Sequence, residues 1–215
     1  MLYASRISAK IDLIPLASNK ISVGSAQLFG LKLNLYQQTA TSKHNFQFVL
    51  DSLASKDTTK HTPLDLHIGS LIIRHGSVNY DKRYVAEKQG IFSPAHIGIR
   101  ELSTHIILSH LTDNNIDLNI KKLAFTDKSG LQLKSLSFKL IADKQEATLK
   151  NFDLQLPHSD ISLGDIHATY RVEKGKLVQP SLQYTGSIEQ SKVTLADIAC
   201  FLPIFKHFDD AVYFC

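Results

Sequence analysis

The sequence predicts an all-β protein built on one long curled antiparallel sheet, an open trough (β-taco) or a flattened barrel, with repeated bulges and one short helix near the C-terminus. Three observations predict it. Apolar residues recur with a period of two along most of the chain, the connections are short and polar, and the alternation changes step repeatedly. An apolar content of 43% in 215 residues is enough for a folded protein, and we treat residues 1–215 as a single β-rich segment.

About ten runs of alternating apolar residues are bounded by Gly, Asn, Asp, Lys or Pro. The connections LTDNN, TDKSG and ADKQE are short enough to join consecutive antiparallel neighbours. Two longer polar stretches, 37–45 and 55–63, are predicted to be exposed loops. The predicted strands are 5–16, 20–37, 46–50, 64–82, 96–111, 114–126, 131–142, 146–156, 160–173 and 177–190.

One segment has helical spacing of its apolar residues. It predicts a short helix over 194–207, with Thr194 and Asp197 as a capping box and a kink at Pro203. Two interpretations stay open: a core-facing helix that plugs one end of the sheet, or a helix that docks on a membrane or a partner.

The strand LQLKSLSFKL changes step in its middle. Leu131 and Leu133 alternate with polar residues, then Lys134 and Ser135 stand side by side, and the alternation resumes one position later. The same pattern, two apolar residues at i and i+2 followed by two more at i+5 and i+7, recurs along the chain. Its copies are 21–28, 66–73, 118–125, 131–138, 147–154 and 161–168, with a partial copy at 97–102.

A β-bulge is the simplest explanation of each step. One extra residue would move all later side chains to the opposite face of the sheet unless a bulge absorbs it. A two-residue hairpin at each step is the alternative, but pairs such as Lys121-Lys122 lack the residues that tight turns need. Because bulges bend strands, a row of them is expected to curl the sheet into a trough.

The inside of this trough is expected to be apolar and the outside polar. Side chains could fill it completely, as in a small barrel or sandwich. Alternatively it could hold acyl chains. Each methylene taken out of water contributes about 0.8 kcal/mol, so burial of a sixteen-carbon chain contributes roughly 12 kcal/mol to binding. The predicted lining residues are Leu66, Ile68, Leu118, Ile120, Leu131, Leu133, Leu149, Phe152, Ile161 and Leu163.

The sequence offers no pattern for catalysis, a cofactor or nucleic-acid binding. It has no Gly-rich phosphate loop, no HExxH and no GxSxG, and its net charge of +4 is spread thinly. His67, His75, His105 and His167 could approach one another as metal ligands, but solvated histidines on strands are far commoner. The triplet His158-Ser159-Asp160 resembles a catalytic set only in its letters, and we expect no catalytic residues, cofactor or metal.

The ends of the sequence predict a fragment of a longer protein. The opening MLYASRISAK has no apolar core suited to a secretion signal, and the longest apolar run, 198–205, is far shorter than the roughly 20 residues that span a bilayer. The two cysteines, Cys200 and Cys215, form no recognisable redox or zinc motif.

Several stretches together resemble the amino-terminal half of the TamB family (translocation and assembly module), within the wider AsmA-like family of cell-envelope proteins. The resemblance extends over about residues 7 to 207. The stretches are NFQFVLDSL, LDLHIGSLIIRHGSVNYD, FSPAHIGIRELSTHIIL, DKSGLQLKSLSFKL, LQLPHSDISLGDIHATY and KVTLADIACFLPIF.

The resemblance implies a non-enzymatic, periplasmic scaffold segment with a hydrophobic groove. Such a protein is anchored in the inner membrane through an N-terminal helix that this chain lacks. It contributes to phospholipid transport between the membranes, to translocation and assembly of outer-membrane proteins, or to both. The implied partners are phospholipid acyl chains and an outer-membrane barrel protein bound through parts absent here. The alternative is a self-packed structural or adhesive β-domain without a lipid ligand.

Overall fold

The computed structural model describes residues 2–12, 21–47, 65–112, 114–173, 176–178, 181–208 and 210–214. The described chain is mostly β, as predicted, and most of its strands belong to one large open sheet. The early strands are β1 (Leu2–Tyr3), β2 (Arg6–Asp12), β3 (Ile21–Phe29), β4 (Lys32–Gln37), β5 (Asp65–Lys82), β6 (His96–Thr112), β7 (Ile116–Asp127) and β8 (Gln132–Ala142). The later strands are β9 (Glu146–Gln155), β10 (Asp160–Leu163), β11 (Ile166–Thr169), β12 (Val172–Glu173), β13 (Lys176–Leu177), β14 (Gln183–Thr185), β15 (Ser191–Thr194) and β16 (Ala211–Phe214).

The centre of the sheet is the predicted meander. Strands β5 to β10 follow one another as antiparallel neighbours, and β15 and β16 continue the sheet beyond β10. Strand β11 continues the line of β10 along β9 and also pairs with β14. Strands β12 and β13 form a separate two-stranded ribbon.

The sheet is mixed, not purely antiparallel as the sequence predicted. Strands β3 and β4 both pair with β5 in the parallel direction, at one constant register that is interrupted at residues 24–25 and again at 30–31. The residues that connect β4 to β5 are too many for a tight turn, and a long connection can return the chain in the same direction. The sheet is not closed, so the flattened barrel is not the form observed.

The predicted steps in the alternation coincide with register shifts. In β7 the shift falls at Lys121 and Lys122 against both neighbouring strands, and β5, β8 and β9 shift at their own copies of the pattern. The copy in β3 coincides with a register shift in the pairing of β3 with β2. At the copy 161–168 the chain leaves the strand conformation, and this break separates β10 from β11. The bulge interpretation is therefore confirmed, except that the last copy ends a strand.

Three bulge residues other than glycine adopt the left-handed backbone conformation. They are His75 (φ 52°), Glu101 (φ 56°) and Asn151 (φ 51°). Each lies at a register shift, where the extra residue of a bulge commonly takes this conformation. Asparagine tolerates it well, whereas His and Glu adopt it at a cost in backbone strain.

Several predicted elements differ in the structure. Phe46 lies in a turn, and residues 48–50 of the strand predicted at 46–50, like the whole loop predicted at 55–63, are outside the described residues. The strands predicted at 160–173 and 177–190 are broken into short pieces, and β16 was not predicted. Polar residues and glycines interrupt both of these runs.

The predicted helix is two 3-10 helices, Leu195–Ile198 and Pro203–His207, which lie on either side of a turn. Pro203 is the first residue of the second helix, a position where its missing N–H costs nothing. The predicted capping box does not form, because the Thr194 side chain makes no capping hydrogen bond. Within the described ranges, no helix combines the length and the apolar character needed to cross a bilayer.

Candidate functional site

The most extensive feature of the sheet is a continuous apolar face. Residues that are directly paired across antiparallel or parallel strands point to the same side, so the register can be followed from strand to strand as a rung. Each of three such rungs crosses eight strands: β2, β3, β5, β6, β7, β8, β9 and then either β10 or β11. Together the three rungs form what we call the apolar face.

Each rung is almost entirely aliphatic or aromatic. The first rung is Ile11, Val23, Ile68, Leu108, Leu118, Leu140, Leu149 and Ile166. The middle rung is Ala9, Ala26, Leu71, Ile106, Ile120, Phe138, Phe152 and Leu163, in which Phe138 and Phe152 stack at a centroid distance of 6.4 Å. The third rung is Ile7, Leu28, Ile73, Thr104, Leu123, Leu136, Leu154 and Ile161.

Thr104 is the one polar member of these rungs. Its side chain is buried, and its hydroxyl donates to the carbonyl oxygen of Lys122 at 2.9 Å. The hydroxyl is therefore satisfied by the backbone at the β7 bulge. The apolar face is not broken by an unpaired polar group at this position.

The bulges keep the rungs on one side of the sheet. In β7, Ile120 and Leu123 are three positions apart and yet share a face, because the pair Lys121 and Lys122 forms the bulge between them. In β3, β5 and β9 the bulge lies between the first and the middle rung instead. The bulges are therefore staggered across the sheet, where the sequence suggested a single line.

Most of the predicted lining residues lie on this face. Leu131 does not belong to a strand; it lies in the turn before β8, where its carbonyl oxygen accepts a hydrogen bond from Asp127 N, so its placement within a strand was wrong. The backbone of Leu66 pairs with Leu111, and its side chain is outside the described part. The register places on the apolar face Ile68, Leu118, Ile120, Leu149, Phe152, Ile161 and Leu163. Leu133 pairs with Phe125, next to the third rung on the same side of the sheet.

No second layer covers this face in the part of the chain that the structure describes. Apart from the two 3-10 helices, the elements in extensive contact are all hydrogen-bonded neighbours within a sheet. Most rung side chains are half-buried by their neighbours, and Ile7 and Ile11 at the edge are 59% and 57% exposed. Among all the described residues, few apolar side chains are buried: Leu31, Leu102, Leu108, Leu133, Leu156 and Cys200.

One rim of the sheet is closed by residues 195–207, which we call the C-terminal segment. The amide of Phe92, in the loop between β5 and β6, donates to the carbonyl oxygen of Cys200 at 2.8 Å, and the rings of Phe92 and Phe201 lie 5.0 Å apart. The segment thus connects the β5–β6 loop with the turn between β9 and β10. These contacts agree with the interpretation of a plug at one end of the sheet.

Asp197 fixes the C-terminal segment to that turn. Its side chain is 2% exposed, and it accepts hydrogen bonds from Ser159 Oγ at 2.7 Å, from His158 N at 2.9 Å and from His158 Nδ1 at 3.0 Å. Burial raises the pKa of Asp197, but the hydrogen bonds from Ser159 and His158 outweigh it and hold the pKa below its ordinary value. The sequence assigned Asp197 to a capping box and so missed this role.

The triplet at 158–160 is not a catalytic set. Ser159 is 1% exposed and donates to the Asp197 carboxylate instead of to an imidazole, and the same hydroxyl accepts from Thr194 N at 2.9 Å. Asp160 belongs to β10 and pairs with Gln155. The arrangement anchors a turn, because the Ser159 hydroxyl donates to a carboxylate whose pKa is lowered, a weak base, and not to an imidazole.

A second buried carboxylate lies where β7 ends, under the same rim. Asp127 is 2% exposed and accepts from Gly98 N and from Ser129 N, each at 2.9 Å. Burial raises its pKa, but the hydrogen bonds from Ser129 and Gly98 prevail and lower the pKa below its ordinary value. Burial also raises the pKa of the nearby Cys200 thiol, so this cysteine is a poor nucleophile.

The four histidines considered as metal ligands have separate partners. His67 Nδ1 is 2.8 Å from Ser109 O, and His105 Nε2 is 3.2 Å from Ser70 Oγ. The partners of the other two are Phe29 for His75 and Thr148 for His167. Among the described residues, no group of His, Cys, Asp or Glu could hold a metal ion.

Comparisons with known proteins do not identify a family. No family model matches the chain, and neither a curated protein nor a solved structure is significantly similar to it. The likeness to the TamB family therefore stays a prediction from the sequence.

Proposed function

We propose that the chain is a non-enzymatic segment of a periplasmic scaffold whose apolar face binds phospholipid acyl chains. In this role it contributes to phospholipid transport between the membranes of the cell envelope, to the assembly of outer-membrane proteins, or to both. The observation that carries the proposal is the apolar face itself: three rungs, eight strands wide, without a layer packed on them in the described residues.

The dimensions of the apolar face suit a chain-like ligand. Eight strands at about 4.8 Å spacing give a lining roughly 34 Å long in the direction of the rungs. Soluble monomers rarely leave continuous apolar patches of more than a few hundred Å² without a ligand or partner. An acyl chain needs no specific polar contact there, because its affinity comes from removing methylenes from water.

The bulges support the same proposal. A bulge bends its strand and increases its twist, so staggered bulges in β5, β7, β8 and β9 favour a curled sheet with the apolar face inside. The opposite side carries polar partners such as Asp117 and Lys139, whose charged atoms lie 3.8 Å apart. Water would therefore contact the outside of the curl and lipid the inside.

The alternative, a self-packed β-domain, requires the apolar side chains to cover one another. The extensive contacts between strands in the described ranges are those of hydrogen-bonded neighbours, as expected for one layer. This observation favours the lipid-binding proposal over the alternative.

A lipid-binding experiment tests the proposal. The chain is purified without detergent from cells, extracted, and analysed by mass spectrometry for bound phospholipid; binding of a fluorescent fatty acid is then measured by titration. We expect co-purifying phospholipid and saturable binding. Absence of both would contradict the proposal.

Two lysine substitutions separate groove binding from adsorption. Ile120→Lys places a charge in the middle rung, and Asn119→Lys places the same charge on the polar side one residue away. Since an unpaired ammonium is costly to bury, we expect Ile120→Lys to bind fatty acid at least about tenfold more weakly, with Asn119→Lys unchanged. Circular dichroism checks that both variants fold, and equal binding by the two would argue against a groove.

A further inference from the structure

The strand at one edge of the sheet has a free side. In the described part of the chain β2 pairs only with β3, so the backbone groups on its other side are not used in a ladder. The register shift between the two strands arises from an extra residue in β3, which leaves β2 regular over all seven residues. A regular exposed edge of this kind is a template for another strand.

The sequence of β2, RISAKID, is complementary to itself when two copies run antiparallel. With Ala9 opposite Ala9 of a second copy, Arg6 stands opposite Asp12, Ile7 opposite Ile11, and Ser8 opposite Lys10. Opposite charges and apolar pairs that face each other across strands stabilise a ladder, and like charges destabilise it. This register therefore places favourable pairs at both ends and no like charges directly opposite each other.

We infer that the free edge of β2 is a self-association surface, where a second copy of this chain adds its own β2 in antiparallel register centred on Ala9. The contact is isologous, because a twofold axis through Ala9 relates the two copies and closes the assembly as a dimer. The inference is independent of the lipid proposal.

The geometry of the sheet agrees with this pairing. Ile7, Ala9 and Ile11 are paired with residues of β3 that lie on the apolar face. A twofold axis perpendicular to the sheet keeps the apolar faces of both copies on the same side. Ile7 and Ile11, which are now exposed, would then contact Ile11 and Ile7 of the second copy.

The charges next to β2 favour an incoming carboxylate. Arg6 and Arg74 border the same depression, which is also lined by Ser8, Gln27 and Phe29. The carboxylate of Asp12 from a second copy would be attracted to the two positive charges that border this depression. Asp12 is itself held in place by Ser22 Oγ, which donates to Asp12 Oδ2 at 2.8 Å.

The other edge of the sheet is a poorer match. Strand β16, with the sequence AVYF, has no charged residue to pair with Arg6 or Asp12. A contact between β2 and β16 would also be heterologous, so it would give rings or open-ended assemblies instead of a twofold dimer. The charge pattern therefore favours pairing of β2 with β2.

Charge exchange tests the inference. Sedimentation equilibrium on the 215-residue chain is expected to show a reversible monomer–dimer equilibrium. Arg6→Glu alone sets Glu against Asp12 twice, and Asp12→Arg alone sets Arg against Arg6 twice, so each variant should dimerise at least about tenfold more weakly. An equimolar mixture of the two variants restores opposite charges at both positions and should dimerise as the unchanged chain does.

Lys10→Glu is the matched control. The substitution reverses a charge on the same strand, but residue 10 lies opposite the uncharged Ser8 of the second copy, so dimerisation should be unchanged. The inference is overturned if the unchanged chain stays monomeric at every concentration, if Arg6→Glu dimerises normally, or if the mixture stays monomeric although both variants give native circular dichroism. Open-ended assemblies would point to β16 and would equally overturn it.

Discussion

Two glycines that occupy equivalent positions in neighbouring strands should respond differently to the same substitution. Gly24 in β3 and Gly69 in β5 lie side by side, because the parallel register pairs Val23 with Ile68 and Ala26 with Leu71. A Cβ added at Gly69 would lie 2.5 Å from the backbone oxygen of Gly24. A Cβ added at Gly24 would find its nearest neighbours at 3.6 Å, an ordinary contact distance.

The magnitudes follow from these distances. The obstacle at Gly69 is backbone in a paired strand, which cannot rotate away, so Gly69→Ala should lower the free energy of unfolding by about 1–3 kcal/mol, as overpacking does. Gly24→Ala meets no obstacle, and its reduced backbone entropy in the unfolded chain should leave stability unchanged or raise it by up to about 1 kcal/mol. The two variants should therefore differ by at least about 1 kcal/mol.

Urea unfolding followed by circular dichroism measures this difference. The expected order of midpoints is Gly69→Ala below the unchanged chain, and Gly24→Ala at or above it. Equal midpoints for the two variants would refute the close approach of β3 and β5 and, with it, their parallel register. A lower midpoint for Gly24→Ala alone would refute it as well.

Three further expectations concern the rim and the bulges. Asp197→Ala removes a buried carboxylate and should lower the free energy of unfolding by about 2–3 kcal/mol, because hydrogen bonds to charged groups contribute about 1.5–3 kcal/mol. The control Asp210→Ala removes an exposed carboxylate and should lower it by less than about 0.5 kcal/mol in the same urea assay. Glu101→Gly should raise the free energy of unfolding by about 0.5–1 kcal/mol, since glycine removes the strain of the positive φ at this position. Arg100→Gly, at a position without a positive φ, should lower it by a similar amount, about 0.5–1 kcal/mol. The reverse order of the two variants would contradict the bulge geometry. Because the pKa values of Asp127 and Asp197 are lowered in the folded protein, their contribution to the free energy of unfolding is complete above the unfolded carboxyl pKa of about 3.9 and is lost as the pH falls toward the folded values. The urea midpoint should therefore decrease below about pH 4. A constant midpoint down to about pH 2 would contradict this expectation.

The strands and bulges of the central meander could be predicted from the sequence because they are local. A step such as Lys121-Lys122 between apolar runs has few physical solutions, and turn chemistry excludes the hairpin. The apolar face follows from the same pattern, since once the steps are absorbed the phase of alternation assigns each residue to a side.

The parallel pairing of β3 and β4 with β5 could not be predicted in this way. Alternation says which side of a strand is apolar but not which neighbour it pairs with or in which direction. The long connection between β4 and β5 was the available signal, and it was interpreted as two loops on either side of a short strand at 46–50.

The rim was missed for a related reason. Asp197 meets His158 and Ser159 from a turn 38 residues away, and a spacing rule within one helix cannot detect such a contact. Asp127 did leave a trace in the sequence: it occupies an apolar position in the alternation of β7, and a carboxylate at such a position indicates a buried, hydrogen-bonded group.

A lining made of rungs constrains the evolution of the sequence in an unusual way. Leu, Ile, Val, Phe and Ala all occur in the rungs, and any of them keeps that side of the sheet apolar, provided that each bulge lies where the neighbouring strands can accommodate it. Selection then acts on the spacing of the apolar residues more than on their identities. Two proteins with a common ancestor could therefore keep the same apolar groove at low sequence identity.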